Sequence, residues 1–93
     1  MGITVELPAV LMPYARGSDV VLPSAECATV AEALAALASR CPGVVDRMMD
    51  ERGELRPHVN VFVDDKNIRF ASGLETPLRT DSTIVVVPAV SGG

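Results

Sequence analysis

The residues with the plainest chemical use stand at the end of the chain, in Val87-Pro88-Ala89-Val90-Ser91-Gly92-Gly93. Glycine loses more freedom on ordering than any other residue, so a pair of them at a terminus calls for a reason other than stability. Pro88 has no amide proton and ends any strand ladder, which leaves Ala89 to Gly93 with no apolar periodicity and nothing to pack against. Five extended residues reach at most ~16–18 Å, enough to enter another protein's active site. The missing Cβ atoms of Gly92 and Gly93 suit a narrow channel and leave the last carbonyl open to attack.

The carboxyl of Gly93, with an unperturbed pKa of ~3.3–3.7, is ionised at neutral pH and a poor electrophile. If an ATP-using partner converts it to an acyl-adenylate, a sulfur nucleophile can displace AMP. The resulting thiocarboxylate is a soft nucleophile on an arm, and the chain then needs no catalytic groups of its own. The competing reading is a frayed end or a leftover linker, since termini are commonly small and unstructured. Against it, the glycines follow a Pro-ended apolar strand at a fixed short distance, and a chain that starts on its own Met is expected to be complete.

Other reactive side chains lead less far. Asp64-Asp65 are adjacent carboxylates, but neighbours on a turn point apart, and turns favour Asp for backbone hydrogen bonding. His58, after Pro57 at a strand entry, has no patterned Ser or Cys nucleophile around it and is expected at a surface or edge. Cys27 and Cys41 bracket a helix and lie on the order of 20 Å apart by its rise per residue, beyond the ~7 Å that a disulfide allows. They are expected to be free and inert thiols, Cys41 on an apolar helix stripe. With one His and no close Cys pair, a structural metal site lacks ligands. Met48-Met49 is expected to fill core space.

Ninety-three residues can bury one core. Hydrophobic residues make up 48%, with no Trp, one Tyr and two Phe, so that core is aliphatic. A net charge of −4 with interleaved acids and Arg offers no basic patch for nucleic acid, and any charged partner is expected to be basic overall. No apolar run approaches the ~18–20 residues of a membrane span, and no signal peptide precedes Ile3, which points to the cytoplasm.

The elements that carry the tail follow from periodicity. Ile3 to Leu7 alternates as a half-buried strand, and Asp19 to Leu22 forms a second, antiparallel to it across a loose loop. Thr29-Val30-Ala31-Glu32 is a capping box, the Thr oxygen accepting from the Glu32 amide and the carboxylate reaching back to the Thr29 amide. Val30, Leu34, Leu37 and Cys41 then make one apolar stripe until Pro42-Gly43 stops the helix. Val44 to Met49 can add a short further turn, followed by a charged loop at 50–54. Val59 to Val63, a turn at 64–67 and Ile68 to Phe70 spell a hairpin. Ile84 to Val87 is a β-branched run expected to be central, buried on nearly both sides and parallel to the first strand. Alternation places Phe62 opposite the helix, a partner contact unless the Leu74 to Leu78 connection covers it; Arg69 and Phe70 share that position.

These residues resemble the ubiquitin-like β-grasp sulfur carriers of the ThiS/MoaD family, in particular its CysO-like branch. The resemblance rests on the V-P-A-V-S-G-G ending, on RMMDERGELRPHVNVFVDDKNIRF at 47–70, and on G-L-E-T-P-L at 73–78, and covers nearly the whole chain. R-T-D-S at 79–82 departs from the family's acidic D-G-D turn. The resemblance implies an α+β β-grasp fold, with a mixed sheet and one main helix on one face over residues 1–88, and a Gly-Gly tail over 89–93. It further implies a non-enzyme whose Gly93 bears the thiocarboxylate, with Gly92 giving access, and which binds no cofactor itself. Pro88, Ala89, Val90, Ser91, Phe62, Phe70 and Arg69 are the partner contacts it suggests. Its partners would be a ThiF- or MoeB-like activating enzyme that consumes ATP, a rhodanese-like sulfur donor and a cysteine synthase-like or other acceptor. A MoaD-like subunit of molybdopterin synthase and a modifier conjugated through Gly93 stay open as alternatives.

Overall fold

A computed structural model describes residues 2–15 and 19–88. Strands β1 (Gly2–Glu6), β2 (Val20–Pro23), β3 (Val59–Val63), β4 (Lys66–Asn67) and β5 (Thr83–Pro88) form one sheet in the order β2-β1-β5-β3-β4. β1 and β5 run parallel at the centre, and the β1–β2, β3–β5 and β3–β4 pairs are antiparallel. The final strand is therefore central, as its β-branched composition predicts, and parallel to the first.

Helices α1 (Val30–Arg40) and α2 (Pro42–Met48) follow β2. Ile3 and Val5 of β1, Val61 of β3, and Ile84 and Val86 of β5 are buried with Val30, Leu34 and Leu37 of α1. Val44 and Met48 of α2 are buried as well, and Met49 packs beside them as core filler. The apolar stripe of α1 is thus the one the spacing selects, except that Cys41, half-buried, caps the helix instead of extending it.

The start of α1 matches the capping box with one shift. Thr29 Oγ1 accepts from Glu32 N–H at 3.3 Å, but Glu32 Oε1 accepts from Ala28 N–H at 2.8 Å, one residue before the amide expected. Pro42 does more than stop α1: it occupies the first turn of α2, where its fixed φ and missing N–H fit a helix start. Besides its main helix α1, the fold thus has the short further helical stretch that Val44 to Met49 allowed, begun two residues earlier at Pro42. β1 closes at Glu6; Leu7 stays buried while its N–H turns to Asp19 Oδ1 at 3.1 Å.

The hairpin after β3 is tighter than the periodicity suggests. Asp64 and Asp65 both have positive φ, 47° and 74°, the backbone of a two-residue turn that suits the strand twist. β4 is only two residues long, and Ile68–Phe70 coils into a 3-10 turn instead of resuming the strand. Asn67 causes this change, its Oδ1 accepting from Arg69 N–H at 2.9 Å. β5 alternates in burial, so it is covered on one face only. In the loop at 50–54, the amides of Glu54 and Arg52 donate to the Asp50 carboxylate and hold its pKa below the ordinary range.

Candidate functional site

Because β1 and β5 are parallel, Glu6 and Pro88 finish at the same end of the sheet; because β3 is antiparallel, it enters there. Val59 pairs with Pro88 in the register. Three segments distant in sequence converge around Pro88 as a result: residues 7–15, the end of α2, and residues 56–59. Ala89, Val90, Ser91, Gly92 and Gly93 lie outside the described residues.

Between these segments opens a cleft of about 310 Å³. Leu11, Val59 and Val86, all buried, form its floor, and Pro8, Val10 and Pro88 its sides. Tyr14, Arg47 and His58 stand on its rim. The Arg47 guanidinium lies 3.8 Å from the centroid of the Tyr14 ring, and its Nη1 donates to Gly43 O at 3.2 Å. Such stacking contributes about 0.5–1 kcal/mol at an exposed site. Gly43 makes room for it, since a Cβ at that position would meet Tyr14 Cδ1 at 3.0 Å.

Arg69, expected as a partner contact, is engaged by the protein itself. Its Nη2 donates to Val59 O at 2.8 Å, Arg56 O at 3.1 Å and Pro57 O at 3.3 Å, tying the 3-10 turn to the entry of β3. Arg56 Nη2 donates in turn to Asp46 O at 3.2 Å. Three of the chain's eight Lys and Arg residues, Arg47, Arg56 and Arg69, are thereby drawn to residues at this end of the sheet.

The sheet face away from the helices carries the aromatic expected there. Phe62 is half-buried and pairs across to Val85 on β5 and Asn67 on β4. Val87, 40% exposed, pairs with Asn60, whose Oδ1 accepts from Asn67 Nδ2 at 3.3 Å. Leu74 does not roof Phe62; it lines a groove with Leu34, Ala35 and Ala38 of α1. Phe70 is 86% exposed. Sequence reasoning named Phe62, Phe70 and Pro88 as candidates, and the structure places Phe62 on the face away from the helices, Phe70 exposed and Pro88 on the cleft wall; it did not name Val87, whose β-branched run suggested burial, or the Tyr14–Arg47 pair. The one available signal for that pair was Tyr14 as the sole Tyr of a chain with only two Phe and no Trp.

Of the remaining reactive side chains, Cys27, Cys41 and Asp64 stand apart from the cleft at Pro88. Cys27 is buried, and burial pushes its thiol pKa up, with the Glu26 carboxylate adding to the effect. Cys27 and Cys41 are both free thiols. Asp64 serves the far end of β5, accepting from Ser82 Oγ and Thr83 N–H, both at 2.9 Å. His58 is exposed on the cleft rim. Among the described residues, no group of three or more His, Cys, Asp or Glu is placed to hold a metal ion, and no helix is long and apolar enough to cross a membrane.

Known proteins share this fold. The chain is 33% identical over 95 residues to the sulfur carrier protein CysO of Mycobacterium tuberculosis, covering 100% of both. It is 33% identical over 66 residues, 71% of each chain, to the small archaeal modifier protein 3 of Haloferax volcanii. A chain in the crystal structure of the BexX/CysO complex from Amycolatopsis orientalis superimposes with a TM-score of 0.87 at 34% identity, over 98% of this chain and 99% of that one. The fold is the β-grasp of ubiquitin-like proteins. The family model described as the ThiS family matches residues 5–93, and the chain belongs to that family.

Proposed function

We propose that the chain is a sulfur carrier whose working group is the carboxyl of Gly93. Residues 1–88 act as a body that partners recognise, and residues 89–93 as the arm they admit. A ThiF- or MoeB-like partner, which binds the ATP, joins the Gly93 carboxylate to AMP with release of pyrophosphate. The terminal sulfur of a persulfide on a rhodanese-like donor then attacks the acyl carbon and AMP leaves; a thiol reductant cleaves the resulting acyl disulfide, leaving the thiocarboxylate on Gly93 and the thiol oxidised to a disulfide. The charged sulfur displaces a leaving group from the substrate held by an acceptor enzyme of the cysteine synthase type or another thiolating enzyme, and hydrolysis of the thioester so formed frees the sulfur-bearing product and restores the Gly93 carboxylate. The carrier is consumed and regenerated as a co-substrate, and Gly92 leaves the acyl carbon unhindered.

One observation carries this reading: in a ThiS-family chain, the central strand ends at Pro88, five residues before Gly93, at the open end of the sheet. Phe62, Val87 and the exposed Phe70 offer apolar contacts to a docking partner, while Arg69 acts through the loop it fastens. Incubation with ATP, the adenylating enzyme and sulfide is expected to raise the intact mass by the difference between sulfur and oxygen. An unchanged mass, with a proven carrier modified in parallel, would contradict the proposal.

The Haloferax modifier favours a second reading, in which a lysine amine captures the same adenylate and Gly93 becomes an isopeptide. Immunoblots of cell extracts separate the two: a ladder of heavier adducts supports conjugation, free protein alone supports sulfur transfer.

A further inference from the structure

The cleft beside Pro88 is unlike the rest of this acidic chain. Its floor is aliphatic, yet its rim carries Arg47 and His58, in a molecule of net charge −4. Among the described residues, no carboxylate pairs with Arg47; its guanidinium stacks on Tyr14 and uses Nη1 on Gly43 O, leaving N–H donors free. The stacking fixes the guanidinium plane, so little rotamer freedom is lost when a further acceptor binds. Asp19, the acid following residues 7–15, is occupied by Leu7 N–H.

Pro88 is itself a wall of this cleft, so a partner that docks against Pro88 meets Arg47 and His58 as well. Two kinds of partner would do so. An acceptor can tell a loaded carrier by its sulfur, whereas an unloaded tail is chemically an ordinary carboxyl terminus. The adenylating enzyme therefore has to find its carrier from the body. We infer that the cleft is the body's recognition site for that enzyme, receiving an acidic segment that seats an aliphatic side chain over Leu11 and Val86 and sets a carboxylate against Arg47. The cleft holds one or two aliphatic side chains, and a carboxylate in line with a stacked guanidinium makes a charge-assisted pair where water is partly excluded.

This inference rests on the adenylation reading, and the test separates the two. Carrier-dependent pyrophosphate release by the adenylating enzyme is measured against carrier concentration. Arg47→Glu is expected to raise KM for the carrier about tenfold or more with kcat little changed. His58→Glu is expected to act in the same direction. Arg79→Glu, the same charge change as Arg47→Glu but near the opposite end of β5, is expected to stay within about twofold of the unsubstituted chain. Should Arg47→Glu fail to fold, Arg47→Gln keeps a planar group over Tyr14 and is expected to raise KM severalfold. Unchanged KM in the rim variants, or an equal rise in Arg79→Glu, overturns the inference while adenylation stands. No turnover with the unsubstituted chain overturns both.

Discussion

The two ends of β5 are built on opposite principles. At the Thr83 end a set of polar groups holds the strand: Asp64 accepts from Ser82 Oγ and Thr83 N–H, Arg79 N–H donates to Ser82 Oγ at 2.8 Å, and Asp64 N–H donates to Thr83 O at 3.0 Å. Ser82 is 2% exposed. At the Pro88 end the ladder stops at a residue with no N–H, and the surroundings are a cleft with an aliphatic floor and Arg side chains reaching carbonyls from elsewhere. Hydrogen bonds at the first end fix where the strand sits, and the apolar floor at the second suits contact with another molecule. Under the proposed function, this small sheet is braced at one end and carries its working arm at the other.

Substitutions at the two ends are expected to separate along the same line. The largest effect should come from deleting Gly93: ATP-dependent loading falls by more than about 100-fold because the acyl carbon no longer reaches its place, while urea denaturation shows unchanged stability. Asp64→Ala reverses the pattern. It strands the buried Ser82 hydroxyl and puts Ala at a positive φ, costing about 1–3 kcal/mol in urea melts, with loading unchanged for the fraction that is folded. Arg69→Met frees the carbonyls of Arg56, Pro57 and Val59 and is expected to cost about 1 kcal/mol, with an added rise in the carrier's KM because the loop bearing His58 loosens. Smallest is Asp65→Gly, expected to add about 0.5 kcal/mol by relieving the left-handed backbone at φ 74°, and to leave loading untouched. A loss of loading in Asp64→Ala beyond its unfolded fraction would break the division between the ends.

Much of the fold could be read from spacing alone. Strict alternation in Ile3 to Leu7 and Val59 to Val63 names the buried face of each strand, and Thr29 with Glu32 marks the start of α1 to the residue. The misreadings share a physical cause. Pro42 can end one helix or begin another, because the same locked φ and missing N–H serve both, and only the packing of Val44 and Met48 decides. Ile68–Phe70 has a strand-like composition, yet the Asn67 side chain offers its backbone a local hydrogen bond, and the local bond prevails at a sheet edge.

The candidate site was legible only where it is continuous in sequence. Gly92, Gly93 and Pro88 stand in one stretch and announce themselves by composition. The cleft draws on residues near 8–14, on Arg47, on His58 and on 86–88, and no periodicity within one segment brings these together. Arg69 shows the same limit from the other side: an exposed Arg beside an exposed Phe suggests a partner contact, whereas the fold supplies three carbonyls within its reach.

The most direct test of a working Gly93 end is fragmentation mass spectrometry of the intact protein isolated from its own cells, under conditions that preserve thioacids. The account predicts that the exchange of one oxygen for sulfur appears in C-terminal fragments containing Gly93 and in no fragment that lacks it. Sulfur found instead as a persulfide on Cys27 or Cys41, with an unaltered Gly93 carboxyl, would contradict it.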